Sequence, residues 1–157
     1  MSTKAPTYLA SEIPADVKIA IIAARFNAEI VEELLLGCER RLTELKILAD
    51  CVHVFRVPGA FELPVAAKWA ASKTYAAVIC LGAVVRGDTP HFEYVAGEAA
   101  RGISNVALET GVPVIFGVLT TNTHQQALDR IGGSHGHAGE RAAEAAIDMI
   151  ALKRKIY

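Results

Sequence analysis

Four short apolar runs divide the chain: "KIAIIAARF" (18–26), "CVHVFRV" (51–57), "YAAVICLGAVV" (75–85) and "VPVIFGVLT" (112–120). Each is rich in Val and Ile, as buried strands are, and each is followed by a segment with helical spacing. In the first of these segments Val31, Leu34, Leu35, Cys38, Leu42 and Leu45 recur at three- and four-residue steps. Glu32, Glu33, Glu39, Arg40 and Glu44 take the other faces. The second segment, from Phe61 to about Lys73, is alanine-rich, and the third carries Val95, Ala99, Ile103 and Val106. After the fourth run the spacing predicts two helices, near 123–131 and 138–153, with "GGSHGHAG" as the loop between them. The last helix ends in "LKRK", cations where the helix dipole favours them. Continuous apolar strands alternating with amphipathic helices predict an α/β fold: a three-layer α/β/α sandwich around a central four-stranded parallel sheet. An extra N-terminal strand at the sheet edge is also expected. Ligands of such sheets bind beyond the carboxyl ends of the strands. The chemistry is therefore expected at four junctions: "ARFNAE", "VPGAFELP", "VVRGDTPHFE" and "FGVLTTNTHQQ".

Composition narrows the picture. A chain of 157 residues is expected to be one domain, residues 1–157, divided by no polar linker and containing no repeat. Apolar residues make up 52% and aromatics 6%, so Ala, Val, Ile and Leu must build the interior. A mean hydropathy of +0.31 is high for a small soluble monomer and predicts apolar surface shared between subunits. The net charge of -1 gives no electrostatic footprint for nucleic acid. Cys38, Cys51 and Cys80 lack metal-type spacing and read as reduced core residues of a cytosolic protein. The opening residues have no apolar signal-peptide core, and the longest apolar stretch, "AAVICLGAVV", is ten residues against the roughly 20 of a membrane helix. The expected location is the cytoplasm.

At the third junction Thr89 or Asp88 can cap the following helix, with Pro90 at its first position, where a missing N–H costs nothing. Gly87 permits a tight turn with open amides, and a helix start of that kind suits a phosphate or carboxylate. His91 would then stand within reach of whatever carries the anion, and imidazole is the side chain best matched to proton transfer near neutral pH. The pattern alone leaves a capped helix with an exposed histidine equally open. At the first junction Phe26, beside Arg25 and Asn27, is either a face for a planar ring or the hydrophobic staple of the next helix. At the second, Glu62 either accepts hydrogen bonds from a ligand or stabilises a helix terminus. Phe116, at the fourth, reads equally as core. There is no "GxxxxGK[ST]" and no "GxGxxG", so nothing supports nucleoside triphosphate or dinucleotide binding. His135 and His137 form a His-x-His pair with no carboxylate or cysteine close by, which favours a flexible polar loop over a metal site. His53 reads as a hydrogen-bonded structural histidine.

Together the four junctions resemble one family, lumazine synthase. The stretches that carry the resemblance are "ARFN" (24–27), "VPGAFELP" (57–64), "GAVVRGDTPHFEYV" (82–95) and "FGVLTTNTHQQALDR" (116–130), in the family's order and spacing from about residue 16 onward. Residues 1–15 then form an N-terminal arm. The resemblance implies a flavodoxin-like fold and condensation of 5-amino-6-ribitylamino-pyrimidinedione with 3,4-dihydroxy-2-butanone 4-phosphate. It implies that Phe26 and Asn27 lie at the pyrimidine ring, that Ala60, Phe61 and Glu62 hold the ribityl chain, and that Ala83, Val84 and Val85 line the ring pocket. Asp88 and Thr89 would offer amides to the phosphate, and His91 would move protons. Phe116 and Arg130 would reach in from a neighbouring subunit, Arg130 onto the phosphate. The resemblance implies no cofactor and no metal, because the nucleophile is the substrate's own amine. It further implies homo-oligomers, pentamers or 60-subunit shells, with riboflavin synthase as a partner protein. The short loop from Arg130 to Gly139 resembles that of the shell-forming members. One departure stands out: where the family often has Asn-Lys-Gly, this chain has His137-Ala138-Gly139. That weakens the expected hold on phosphate, and His135 or His137 is expected to compensate in part at lower pH. Two rival functions are a ligand-binding shell without catalysis and a flavodoxin-like FMN module. Retention of Phe26, His91 and Arg130 together disfavours the first, and the missing phosphate loop after the first strand disfavours the second.

Overall fold

A computed structural model describes residues 13–157. The expected N-terminal edge strand, and most of the arm, lie outside the described residues. The four apolar runs form β1 (Ile19–Ala24), β2 (Val52–Val57), β3 (Ala77–Val85) and β4 (Val114–Thr121). They make one parallel sheet in the order β2-β1-β3-β4, with Ile19 opposite both Val52 and Ala77 and with Val78 opposite Val114. Helices α1 (Ala28–Glu44) and α5 (Ala138–Ile156) cover one face; α2 (Leu63–Ala71) and α3 (His91–Thr110) cover the other. This is the three-layer α/β/α, flavodoxin-like arrangement.

The period-two alternation of a strand explains how both faces are filled. Along β1, Ile19, Ile21 and Ala23 pack with Leu34, Leu81 and Ile147 beneath α1 and α5. Ala20, Ile22 and Ala24 pack with Leu63, Cys80 and Ile103 beneath α2 and α3. All six residues of β1 are buried, as a central parallel strand requires. Each fully buried Leu or Ile contributes about 1.5–3 kcal/mol, so the two cores together hold the layers.

Several boundaries differ from expectation. The second helix begins as a 3-10 turn, Ala60–Glu62, and becomes α-helical only at Leu63. The Glu62 carboxylate accepts the N–H of Gly59 at 2.9 Å and shapes that turn. The helix α4 (His124–Leu128) is shorter than the 123–131 expected. Beyond it "GGSHGH" is not a flexible loop but a hairpin, β5 (Ile131–Gly133) with β6 (Gly136–His137). Its turns use positive φ at Gly132 (105°) and Gly136 (76°), conformations costly to other residues. Cys38 and Cys80 are buried, and burial pushes both thiols up to about 12. Cys51 is not a core residue: it lies half-buried in the 3-10 turn Ala49–Cys51 that leads into the edge strand β2. His53 is structural, with Nδ1 2.7 Å from the Tyr75 hydroxyl and Nε2 3.0 Å from the Asp50 carbonyl. Among the described residues no helix is long and apolar enough to cross a membrane.

Candidate active site

The carboxyl ends of β1, β2 and β3 meet the start of α3 around one cavity of about 720 Å³. At the end of β1 the chain stays locked to the β2 side: Arg25 N–H donates to Val57 O at 2.8 Å and Phe26 N–H to Pro58 O at 3.0 Å. Asn27 then takes the left-handed conformation (φ 57°), and its Nδ2 donates to Ala83 O at 2.8 Å, tying the β1 exit to β3. Phe26 is left 71% exposed at the cavity wall. A staple would be buried against α1, so the staple reading does not hold.

Ala60, Phe61 and Glu62 form a second wall, and Ala83, Val84 and Val85 form the floor. Glu62 does both things the sequence left open. It stabilises its own turn through Gly59 and also lines the cavity. The third wall is the loop into α3. Gly87, Thr89 and His91 line it; Asp88 is exposed and lies outside the lining. Pro90 stands one residue ahead of α3 with helical backbone (φ -64°), and Thr89 Oγ1 accepts the His91 N–H at 3.4 Å. The amides of Gly87, Asp88 and Thr89 have no acceptor among the described residues. Open amides at the start of a 20-residue helix make a place for an anion.

Phe116 and Arg130 are not brought to this cavity. Phe116 pairs with Cys80, three residues back from the Leu119–Ala83 register, or about 10 Å down the edge strand. Arg130 follows α4, half-buried, with its Nη1 donating to Gln126 O at 2.8 Å. Among the described residues no carboxylate pairs with it. No three His, Cys, Asp or Glu side chains converge among the described residues as a metal site would require.

The comparisons with known proteins bear on this arrangement directly. The family model for 6,7-dimethyl-8-ribityllumazine synthase matches residues 16–154. A relative of that name from Syntrophus aciditrophicus is 52% identical over 141 residues, 89% of this chain and 92% of the relative. Another, from Coxiella burnetii, is 49% identical over 140 residues, 88% of this chain and 93% of the relative. The chain belongs to the 6,7-dimethyl-8-ribityllumazine synthase family.

Within the lumazine synthase frame, two features of the site went unread in the sequence. Phe92, Tyr94 and Val95 line the cavity as well. Tyr94 and Val95 fall three and four residues after His91, the spacing that shares a helix face, and that was the available signal. Arg86 fastens the loop. It pairs with Glu93, donates through Nε to Asn122 Oδ1 at 2.9 Å, and sits 4.3 Å from the Phe92 ring centroid. The pairing holds the Glu93 carboxyl below the usual carboxylate range. His137 is also corrected. It is buried, its Nδ1 accepts the Gly139 N–H at 3.2 Å, and burial pushes its pKa down. It is therefore no exposed cation for a phosphate. His135 is exposed, its Nδ1 3.1 Å from Ser134 Oγ.

Proposed function

We propose that the chain carries out its family's reaction at this cavity, condensing 5-amino-6-(D-ribitylamino)uracil with 3,4-dihydroxy-2-butanone 4-phosphate to 6,7-dimethyl-8-ribityllumazine, phosphate and water. The observation that carries the assignment is convergence. Three segments far apart in sequence bring Phe26, Glu62, and the continuous stretch that runs from the Ala83–Val85 strand end through the open amides at Gly87–Thr89 to His91 around one apolar space.

The residues suit the steps. Phe26 offers an exposed ring for stacking the pyrimidine, with the backbone of Ala83–Val85 beneath it. Glu62 keeps one oxygen on Gly59, and the other can accept from the ribityl hydroxyls, with Ala60 and Phe61 alongside. The amides of Gly87 to Thr89 receive the phosphate; Asp88 contributes its backbone while its carboxylate stays in solvent. The substrate amine attacks the ketone and water leaves to form the imine. Phosphate is then eliminated, and the second nitrogen closes the ring with loss of water. Each step moves protons, and His91, beside the anion site, is placed to carry them. Holding two substrates together supplies much of the remaining acceleration.

In this scheme Arg130 and Phe116 enter from a neighbouring subunit of a cytoplasmic homo-oligomer with shared sites, and the short hairpin loop favours the 60-subunit shell. Riboflavin synthase is the natural protein partner, as consumer of the product. Incubating the purified protein with both substrates should yield the fluorescent lumazine and one phosphate per turnover. A protein that binds the pyrimidine without releasing phosphate would instead be a binding shell.

A further inference from the structure

His137 is where three parts of the molecule meet. It ends β6, it immediately precedes α5, and its ring is buried against α1. The fit depends on a glycine, since a Cβ at Gly37 of α1 would stand 2.0 Å from the imidazole Cε1. Nδ1 accepts the N–H of Gly139 at 3.2 Å, and Gly139 is itself so close to α1 that a Cβ there would stand 2.1 Å from Leu34 O. On its other side His137 pairs with Ile131 across the hairpin, and the next amide, Ala138 N–H, donates to Arg130 O at 2.8 Å. The ring wedged into α1 thus fixes the strand that holds the Arg130 backbone.

We infer that His137 is a positioning residue for Arg130, and that its uncharged imidazole is the form that holds the hairpin in place. The inference rests on the reading of Arg130 as the cation for the phosphate-bearing substrate. Protonation would put an N–H on Nδ1 facing the Gly139 N–H, two donors with no acceptor between them. It would also place a positive charge at the amino end of α5, which the helix dipole disfavours. The ionisable groups around the ring nearly offset one another. Glu33 and Arg40 come from α1, Glu140 and Arg141 from α5, and Arg40 and Glu140 pair at 2.7 Å. The β5 strand, Ile131–Gly133, brings none. Burial decides the balance and favours the neutral ring. A histidine whose folded value is depressed gives stability that is full above its unfolded value, about 6.5, and is lost as pH falls through the lower folded value. The hairpin therefore loosens on the acid side only.

The test compares the wild-type assembly with His137→Ala, His137→Asn and Arg130→Ala. Kinetics from pH 5.5 to 8 are read together with amide exchange at Ala138 and Gly139. His137→Ala should raise KM for the butanone phosphate about tenfold at pH 7.5, with kcat and the pyrimidine KM nearly unchanged, and should speed exchange at both amides. Asparagine can accept the same N–H and does not titrate. His137→Asn should restore most of the KM and stay flat toward acid where the wild type rises; acid effects on the substrate phosphate are common to both. A wild-type KM in His137→Ala, with Arg130→Ala raised, overturns the positioning role. An equal acid rise in wild type and His137→Asn overturns the part played by the uncharged ring. If Arg130→Ala leaves KM unchanged, the reading of Arg130 fails and amide exchange alone decides: faster exchange in His137→Ala supports the latch, unchanged exchange overturns it.

Discussion

His91 begins α3 and faces the cavity beside three open amides, so its contribution should appear in rate rather than in affinity. His91→Ala is expected to lower kcat by roughly one to three orders of magnitude with KM for either substrate changed only a few-fold. Steady-state kinetics with both substrates checks this, and a variant at full speed would remove His91 from the mechanism. Arg130 should behave oppositely. Arg130→Ala removes a charge-assisted contact of about 1.5–3 kcal/mol, so KM for the phosphate substrate should rise by about 10- to 150-fold while that for the pyrimidine stays level. Loss of the pyrimidine instead would reverse the assignment. At this scale position marked the strand-to-helix junctions but left structural readings of Phe26, Glu62 and His91 open. It was the family resemblance of the four junctions taken together that turned those residues toward a site. Tyr94 and Val95 were not legible, because on a helix they look like ordinary amphipathic positions. Arg86 was missed for another reason: its partner Asn122 lies 36 residues away, a pairing that only the parallel register of β3 and β4 creates.

The elements hold these residues still, and the β1 exit shows how. Asn27 combines a left-handed backbone with a hydrogen bond to Ala83 O, so one residue turns the chain and ties two strands of the site. Asn27→Ala should cost about 1–3 kcal/mol, part from the lost bond and part because alanine tolerates the left-handed region less well than asparagine does. Asn27→Gly loses the bond alone and should be the milder change. Urea melts of the two variants separate the contributions, and equal losses would mean that the backbone is not strained there. All four strands were legible, since a buried parallel strand is written as a continuous apolar run. The stretch after α4 was not. Its three-residue and two-residue strands carry no periodicity, and the packing that orders them, His137 in the notch at Gly37, joins residues 100 apart in sequence.

The whole molecule leaves apolar side chains uncovered outside the cavity, among them Phe55, Trp69 (66% exposed), Leu108 (82%) and Phe116. Such a surface is costly on an isolated chain, and it agrees with the hydropathy that predicted shared faces. If Phe116 and Arg130 serve the site as proposed, they come from a neighbour, because no rearrangement of a single packed sheet would carry Phe116 about 10 Å along its strand into its own cavity. If the site is composite, with His91 from one subunit and Arg130 from the next, closure of a ring by head-to-tail contacts becomes a condition of catalysis as well as of stability. His91→Ala, slow at any substrate concentration, and Arg130→Ala, weak when butanone phosphate is kept well below its raised KM, should then rescue one another when unfolded together, reassembled and assayed at that low concentration. With equal amounts and random mixing, about a quarter of the sites, one half times one half, receive both intact residues. Activity near that fraction of wild type, in assemblies shown by mass spectrometry to be mixed, is the expected outcome. Mixed assemblies no more active than the separate variants would mean that each chain completes its own site, and that Arg130 serves the subunit that carries it.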